Sequence, residues 1–386
     1  MKSKNLRLLL PLFLIIFILF SSCVLNTDGS LSYFRDYLLI LNSTGNVVIP
    51  YDLLANQFNE KPIPVGPQAD KNYAPQQIIL SADENYIYII NSLDNSVTKF
   101  TKNMVYITRY SLPEGTNPYN GFIDGNYMYI SGNVSAKVLK LNLLNSTVIQ
   151  SEALYSTNGG IQAIENLNSE YLMTVNINYD LSTYSYLNSI IYILRKDNLQ
   201  KVKEFELDSN FIGKPLKNFQ QAVVHQESDG IYCDLLSTGA YGFSGTEDSG
   251  FLRIKIEISG STINFTKICS DSLPIGEYIG AVSSIYSGYL YFISNKYVYR
   301  LPINGNSISF SSGIEKNTNT LGKTNLSLIA VNNTEDGEYI AIVDSPWGSP
   351  CSLFISKLSS SFSSINFTNP KEFSGYPVDL LFRVSD

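Results

Sequence analysis

Histidine occurs once in this chain of 386 residues, at His225, and tryptophan once, at Trp347. A single histidine excludes multi-histidine zinc, copper and iron sites. Any Ser-His-Asp or Cys-His centre would have to use that one residue. Charge is sparse as well: 16% of residues, Lys+Arg 27 against Asp+Glu 34. An acidic, evenly scattered balance lacks the basic footprint that nucleic acid requires. There are four cysteines and no Cys-x-x-Cys pair, which argues against structural zinc and thioredoxin-like redox chemistry. Cys233, Cys269 and Cys351 lie in apolar, strand-like surroundings and are expected as buried free thiols, although one disulfide among them stays open. No Asp-x-Asp-x-Asp-Gly calcium loop occurs, and no Gly-rich phosphate loop leads from a strand into a helix. No stretch sustains an amphipathic 3.6-residue period, so long helices are not expected.

What is abundant is strand chemistry. Tyr (27) and Phe (20) accompany many β-branched residues, and Ser, Asn, Gly and Asp cluster every ten or so residues. Asn85 to Phe100 shows the unit. A short apolar run from Tyr86 breaks at Asn91-Ser-Leu-Asp-Asn-Ser96, and a second, alternating run follows, as in two antiparallel strands joined by a tight turn. Such hairpins open at Tyr37, Tyr86, Tyr127, Tyr171, Ile231, Tyr289 and Tyr339, with spacings of 49, 41, 44, 60, 58 and 50 residues. A further short strand precedes most of them, as at Gln77–Leu80, Gln220–Val224 and Leu328–Val331. A period of this size with four short strands per unit predicts a β-propeller. The hairpin at Tyr37 lacks a preceding strand, whereas Pro377–Val384 is a strand without a hairpin. The C-terminus is therefore expected to supply the innermost strand of the first blade. The predicted fold is all-β: seven four-stranded antiparallel blades in one ring, spanning residues 35–386.

Tyr88-Ile-Ile-Asn91 with Asn95-Ser-Val97 resembles the YVTN repeat of bacterial seven-bladed propeller proteins, many of them exported or lipid-anchored. The strong match covers one blade and a looser one about five, with blades four and six departing most. The resemblance implies fold and brings no catalytic residues.

Residues 1–22 read as a leader. Lys2, Lys4 and Arg7 are followed by an apolar run, Leu8 to Phe20, interrupted only by Pro11. Thirteen helical residues rise about 20 Å, short of the roughly 30 Å of a bilayer core. Phe20-Ser-Ser-Cys23 resembles the bacterial lipoprotein box, with Phe20 standing where that family usually carries an aliphatic residue. The resemblance implies lipidation of Cys23, a tether over 23–34, and a membrane partner reached through the N-terminal lipid. Val24, where an Asp would signal inner-membrane retention, implies the outer membrane of a diderm cell envelope. Removal of the leader leaves 24 of the 27 basic residues against 34 acidic ones, a net charge of −10.

Candidate chemistry is thin. His225 is placed on the innermost strand of the fourth blade and read as structural. Most carboxylates sit at hairpin turns, as at Asp83, Asp94, Asp124 and Asp229, where turn geometry accounts for them. Asp379, on the closing strand, could face the tunnel. No catalytic residue, metal ligand or cofactor is assigned. The informative irregularities are insertions between the second and third strands of blades four, five and seven, which must emerge on one face. Tyr179, Tyr184, Tyr186, Tyr241, Phe243 and Trp347 would decorate that face as a recognition surface. The expected function is a lipid-anchored extracytoplasmic module that binds an envelope protein or a glycan without catalysis. The alternative is a lyase or hydrolase using tunnel-mouth carboxylates, with or without a bound cation.

Overall fold

A computed structural model describes residues 30–385 except 33–34, 60, 69, 158, 306, 318, 320–324, 335, 347–349, 360 and 368. The leader, Cys23 and Trp347 lie outside the described residues.

Seven four-stranded antiparallel sheets follow one another around a ring. From the axis outward, blade 2 runs Pro75–Leu80, Tyr86–Asn91, Ser96–Thr101, Tyr106–Ser111. Blade 3 runs Pro118–Asp124, Tyr127–Gly132, Lys137–Asn142, Val148–Gln150, and blade 4 Ile161–Asn166, Tyr171–Asn176, Ile190–Arg195, Lys201–Glu206. Blade 5 comprises Phe219–Glu227, Gly230–Ser237, Gly250–Ser259 and Thr262–Ser272. Blade 6 comprises Ile279–Tyr286, Tyr289–Ser294, Val298–Pro302 and Glu315–Asn317. Blade 7 is Leu326–Thr334, Gly337–Asp344, Cys351–Lys357 and Lys371–Phe373. Blade 1 combines both ends of the chain. Its innermost strand is Pro377–Arg383, paired antiparallel with Tyr37–Asn42 from Tyr37↔Arg383 to Asn42↔Pro377; Val47–Asp52 follows, and two short strands, Gln57–Phe58 and Ile63–Pro64, share the fourth position on its outer edge. Helix among the described residues is confined to Ser209–Ile212 and one 3-10 turn at Phe362–Ser364.

Strands such as Tyr37-Leu-Leu-Ile-Leu-Asn42 read as unbroken apolar runs because both faces of each blade are covered. Alternate residues leave in opposite directions. Leu38 and Ile40 pack with Val343, Leu353 and Phe373 of blade 7, while Leu39 and Leu41 pack with Ile87, Ile89 and Phe100 of blade 2. The same division repeats at every seam, so the buried apolar residues form seven clusters, one between each adjacent pair of blades. No blade has a core of its own. Stability is therefore a property of the closed ring.

Two features repeat once per blade. On the second strand a tyrosine is covered by a lysine or arginine from a neighbouring strand, at 3.6 to 6.0 Å from the ring centroid: Tyr37 by Arg383, Tyr86 by Lys99, Tyr127 by Lys140, Tyr171 by Arg195, Tyr232 by Lys255, Tyr289 by Arg300 and Tyr339 by Lys357. The ring's negative face attracts the cation, which is why tyrosine punctuates the repeat. The second feature is a register shift near the start of every innermost strand, for example between Pro75 and Gln77, between Phe219 and Gln221, and opposite Leu41/Asn42 in blade 1. Each is a β-bulge that puts an extra residue into the strand.

Phe382 on the closing strand is buried in the seam between blades 7 and 1. Phe382→Ala is expected to cost about 3–5 kcal/mol, read as a large fall in Tm. Leu144→Ala, at an outer turn and 76% exposed, should leave Tm unchanged in the same denaturation series.

Candidate functional site

The innermost strands begin at the face where the connections between blades and the loops between second and third strands emerge. The bulges lie at this end. They place two successive side chains at the axis, both half-buried: Gln76 and Gln77, Tyr119 and Asn120, Gln220 and Gln221, Val378 and Asp379. Blade 4 adds Gln162. The tunnel mouth is thus lined mainly by amides.

An innermost strand has no sheet partner on its axial side, and its free N–H and C=O groups need partners. Side chains from the adjacent blade supply some of them. Asp379 accepts from Ile78 N at 2.9 Å, Gln77 Oε1 accepts from Gly121 N at 2.7 Å, and Gln221 Nε2 donates to Gly280 O at 3.3 Å. Two acceptors at this level are buried and unmatched, Gln162 Oε1 and Gln221 Oε1. Blades 6 and 7 contribute small residues instead, Gly280 and Ser327. A Cβ on Gly280 would stand 2.5 Å from Leu326 O, so the close approach of these two blades requires glycine there.

The two long insertions of blades 4 and 5 meet above this mouth. The first folds as a small hairpin, Tyr179–Asp180 against Ser185–Tyr186. Asn178 Nδ2 donates to Asn188 O (2.7 Å), and Asp180 accepts from Ser182 N (2.8 Å) and Thr183 Oγ1 (2.8 Å). The second is fastened by Asn218 Nδ2 donating to Gly239 O (2.8 Å) and Ala240 N donating to Asp248 Oδ2 (3.0 Å). Tyr179 and Tyr186 pack with tilted rings at 4.9 Å, and Tyr241 packs edge-on against Tyr278 of the following connection at 5.6 Å. Gln220 Nε2 donates to Tyr241 Oη at 2.7 Å. Burial, followed by the charges of Tyr241 and Tyr179 and a hydrogen bond with Tyr241, pushes the Tyr186 phenol up to about 12, so the insertions touch through these two residues. Tyr119 is likewise pushed up to about 12 by burial, then by Tyr241, Tyr376 and Asp379.

Of the residues expected on the recognition face, Tyr179, Tyr186 and Tyr241 come together, while Tyr184 (80% exposed) and Phe243 (91% exposed) point away into solvent. Sequence reasoning missed Tyr119, Tyr278, Tyr376 and the glutamines. A signal for the latter existed: Gln-Gln stands at both 76–77 and 220–221, at the start of the predicted innermost strands Gln77–Leu80 and Gln220–Val224.

Two carboxyls of the innermost strands are buried. Burial, working against two backbone N–H bonds from Ile78 and Leu380, raises Asp379 to about 7. Burial alone raises Glu165, further along the innermost strand of blade 4, to about 8. They stand on blades 1 and 4, and neither contributes to the other's shift, so they are not a coupled acid/base pair. Cys233, Cys269 and Cys351 are buried free thiols. Among the described residues no three His, Cys, Asp or Glu side chains gather as metal ligands.

His225 requires a correction. It lies on blade 5, not the fourth blade, because each innermost strand pairs with the hairpin that follows it, here His225↔Tyr232. Its ring is buried, stacks on Tyr232 at 5.6 Å, and has Nδ1 3.2 Å from Glu227 Oε1 and Nε2 3.5 Å from Asp234 Oδ2. Asp234 in turn holds Arg253 through two bonds of 2.7 and 2.9 Å. This cluster fastens blade 5 to the Pro302 and Gly305 carbonyls of blade 6.

No protein-family model matches the chain, and no curated protein sequence matches it. Solved structures resemble its fold. A putative 6-phosphogluconolactonase from Bacteroides fragilis superposes with TM-score 0.59 at 13% identity, over 93% of this chain and 99% of that one. Virginiamycin B lyase from Staphylococcus aureus gives TM-score 0.53 at 13% identity, over 80% and 92%. A dihydro-heme d1 dehydrogenase gives 0.54 at 11%, over 91% and 75%. At these identities the likeness is one of fold, and the range of activities shows how little the ring dictates chemistry.

Glu165 supplies a pH test. The folded state holds its proton more tightly than the unfolded chain, whose carboxyl titrates near 4.5. Its effect on stability is nil below that pH, grows more unfavourable up to about pH 8, and then levels. Glu165→Gln should therefore match the wild type near pH 4, exceed its Tm increasingly from pH 5 to about pH 8, and keep that advantage at higher pH. A constant Tm difference across that range would show that burial does not perturb this carboxyl.

Proposed function

We propose that this chain is a lipid-anchored, extracytoplasmic binding module that recognises an envelope protein or glycan on its insertion face without catalysing a reaction. The carrying observation is the junction of two neighbouring insertions through Tyr186 and Tyr241, which joins Tyr179, Tyr186, Tyr241 and Tyr278 into one tyrosine wall beside the tunnel mouth. Rigid rings give contact area at low entropic cost, and a wall braced by hydrogen bonds is organised before any ligand arrives. Leu181, Tyr184 and Phe243 on the same two insertions are exposed to solvent. The YVTN-like repeat, the leader and the Cys23 box support an address outside the cytoplasm.

A lyase or hydrolase is the weaker reading. It would need axial carboxyls acting together, and Asp379 is committed to two backbone N–H groups while Glu165 stands three blades away.

Replacement of residues 179–186 and 240–247 by short turns tests the recognition surface. The ring seams lie elsewhere, so Tm should fall by no more than a few degrees, while binding to purified envelope fractions should drop at least tenfold. Unchanged binding would refute the reading. Anchoring has its own test. Cys23→Ala should abolish incorporation of labelled palmitate and move the protein from the membrane to the soluble fraction on cell breakage.

A further inference from the structure

We propose that the face opposite the insertions rests on a lipid bilayer through the outer turns of blades 1, 2 and 3, so that the insertion face looks away from the membrane. The inference rests on the anchoring reading and adds a second contact to it. Two independent observations meet in one sector of the ring. The first is where the tether joins the propeller. Leu31 N donates to Asn103 O at 2.9 Å, and the Leu31 side chain is buried with Met104 in the seam of blades 1 and 2. Asn103 and Met104 belong to the turn between the third and fourth strands of blade 2, and such turns emerge opposite the insertions. The described chain thus begins on that face. Ser30 stands seven positions after Cys23, a reach of about 25 Å at full stretch. A strand of six residues, such as Tyr86–Asn91, already rises about 20 Å, and turns and insertions stand beyond it. A chain held by a lipid on Cys23 therefore cannot turn its insertion face onto the same bilayer.

The second observation comes from the same turn compared around the ring. Blades 1, 2 and 3 each expose an aliphatic side chain there: Leu54, Val105 and Leu144. The outer strands that follow continue the exposure with Ile107 in blade 2 and Ile149 in blade 3. Blades 4, 6 and 7 bury the large apolar residues of their corresponding turns, as at Leu199, Ile314 and Phe362, and blade 5 turns on Gly260-Ser261 alone. A single exposed leucine is ordinary. Three at one structural position on consecutive blades, in the sector where the tether joins, form a patch. The tips are also free of exposed charge. Leu53-Leu-Ala-Asn56 and Leu143-Leu-Asn-Ser-Thr147 are uncharged, and Lys102 in the third turn is buried with Nζ 3.9 Å from Glu84. Insertion of these tips strips no ion of its water. The apolar phase that the tether brings within reach is the boundary between headgroups and acyl chains, where aliphatic side chains gain by leaving water. The lipid would hold the protein at the membrane, and the three turns would set its orientation.

The test couples the chain from Cys23 onward, through that cysteine, to a maleimide phospholipid in phosphatidylcholine vesicles containing a lipid with a photoactivatable diazirine on its acyl chain. Cys233, Cys269 and Cys351 are buried, so coupling is confined to Cys23. After irradiation, peptide mass spectrometry locates the residues that meet the acyl region. Label on 53–56, 102–107 and 143–149 should exceed that on 179–187, 240–247 and 260–261 at least fivefold. The variant carrying Leu54→Ser, Val105→Ser and Leu144→Ser, changed only at exposed positions, should keep the wild-type Tm and lose label in the three turns at least fivefold. If the triple variant folds poorly, Leu144→Ser alone should still lower the label on 143–149 at least threefold. Label that persists in the substituted turns overturns the proposal, because the tether alone then accounts for their proximity. Label that is absent, spread evenly over all seven blades or concentrated on the insertions overturns it as well. The chemical anchor separates this result from acylation in cells. Labelled turns without palmitate incorporation in cells would uphold the lipid-facing patch and remove the anchoring reading. Palmitate incorporation with unlabelled turns would do the reverse.

Discussion

Closure of the ring is the constraint on which the rest of the structure depends. Every apolar cluster lies between two blades, so each blade is half of two cores and a complete version of neither. An open array would leave two apolar faces exposed at its ends, of the kind that Leu38 and Ile40 present on one side and Val343 and Leu353 on the other. Pairing Pro377–Arg383 with Tyr37–Asn42 brings those faces together and covers the edge of the first hairpin in the same step. Arg383, fully buried, ties the closing strand to Arg35 O, and Ser385 N donates to Asp36 Oδ1 at 2.6 Å. Hydrogen bonds and burial at the junction thus join residues separated by nearly the whole chain.

Closure also generates the candidate site. Seven innermost strands converge on the axis with their inner edges unpaired, and the chain answers with bulges and with amide or carboxylate side chains that reach to the next blade. Asp379, Gln77 and Gln221 each meet one such obligation. The arrangement is not symmetric, however. Blades 2 to 5 place bulky polar residues at the mouth, blades 6 and 7 place Gly280 and Ser327, and the long insertions rise from blades 4 and 5. A ring that is nearly uniform in its seams is therefore one-sided at its mouth, and recognition can use that difference.

The raised carboxyls illustrate the cost of this geometry. Asp379 retains ionisable character near neutrality because two backbone N–H groups partly offset its burial, whereas Glu165 has no such partner and is held further up. Axial burial penalises charge, which agrees with a mouth built mainly from amides and phenols. His225, the one histidine of the chain, is enclosed beside Glu227, Asp234 and Tyr232, away from the bulged end.

Blade number, strand order within a blade and ring closure were legible from residue pattern alone. The reason is that strand pairing is local: Tyr86 to Thr101 contains two strands and their turn in sixteen residues, and turn chemistry marks each boundary. The orphaned strand at Pro377 was legible because a strand without a hairpin needs one elsewhere. The insertions were legible as departures from the period, and so was their common face, since antiparallel strands put every second loop at the same end. What only the tertiary structure decided is which side chains converge. Tyr119, Gln162, Gln221 and Asp379 come from four blades and 261 positions of sequence. Their meeting depends on bulges, whose extra residue reverses the facing of each side chain near the strand start and leaves no mark in an apolar–polar alternation. The same holds for Phe243 and Tyr184, which composition treats like Tyr241 and Tyr186. Their outward direction follows from the turn conformations of two loops, a matter of backbone angles that residue type alone does not specify.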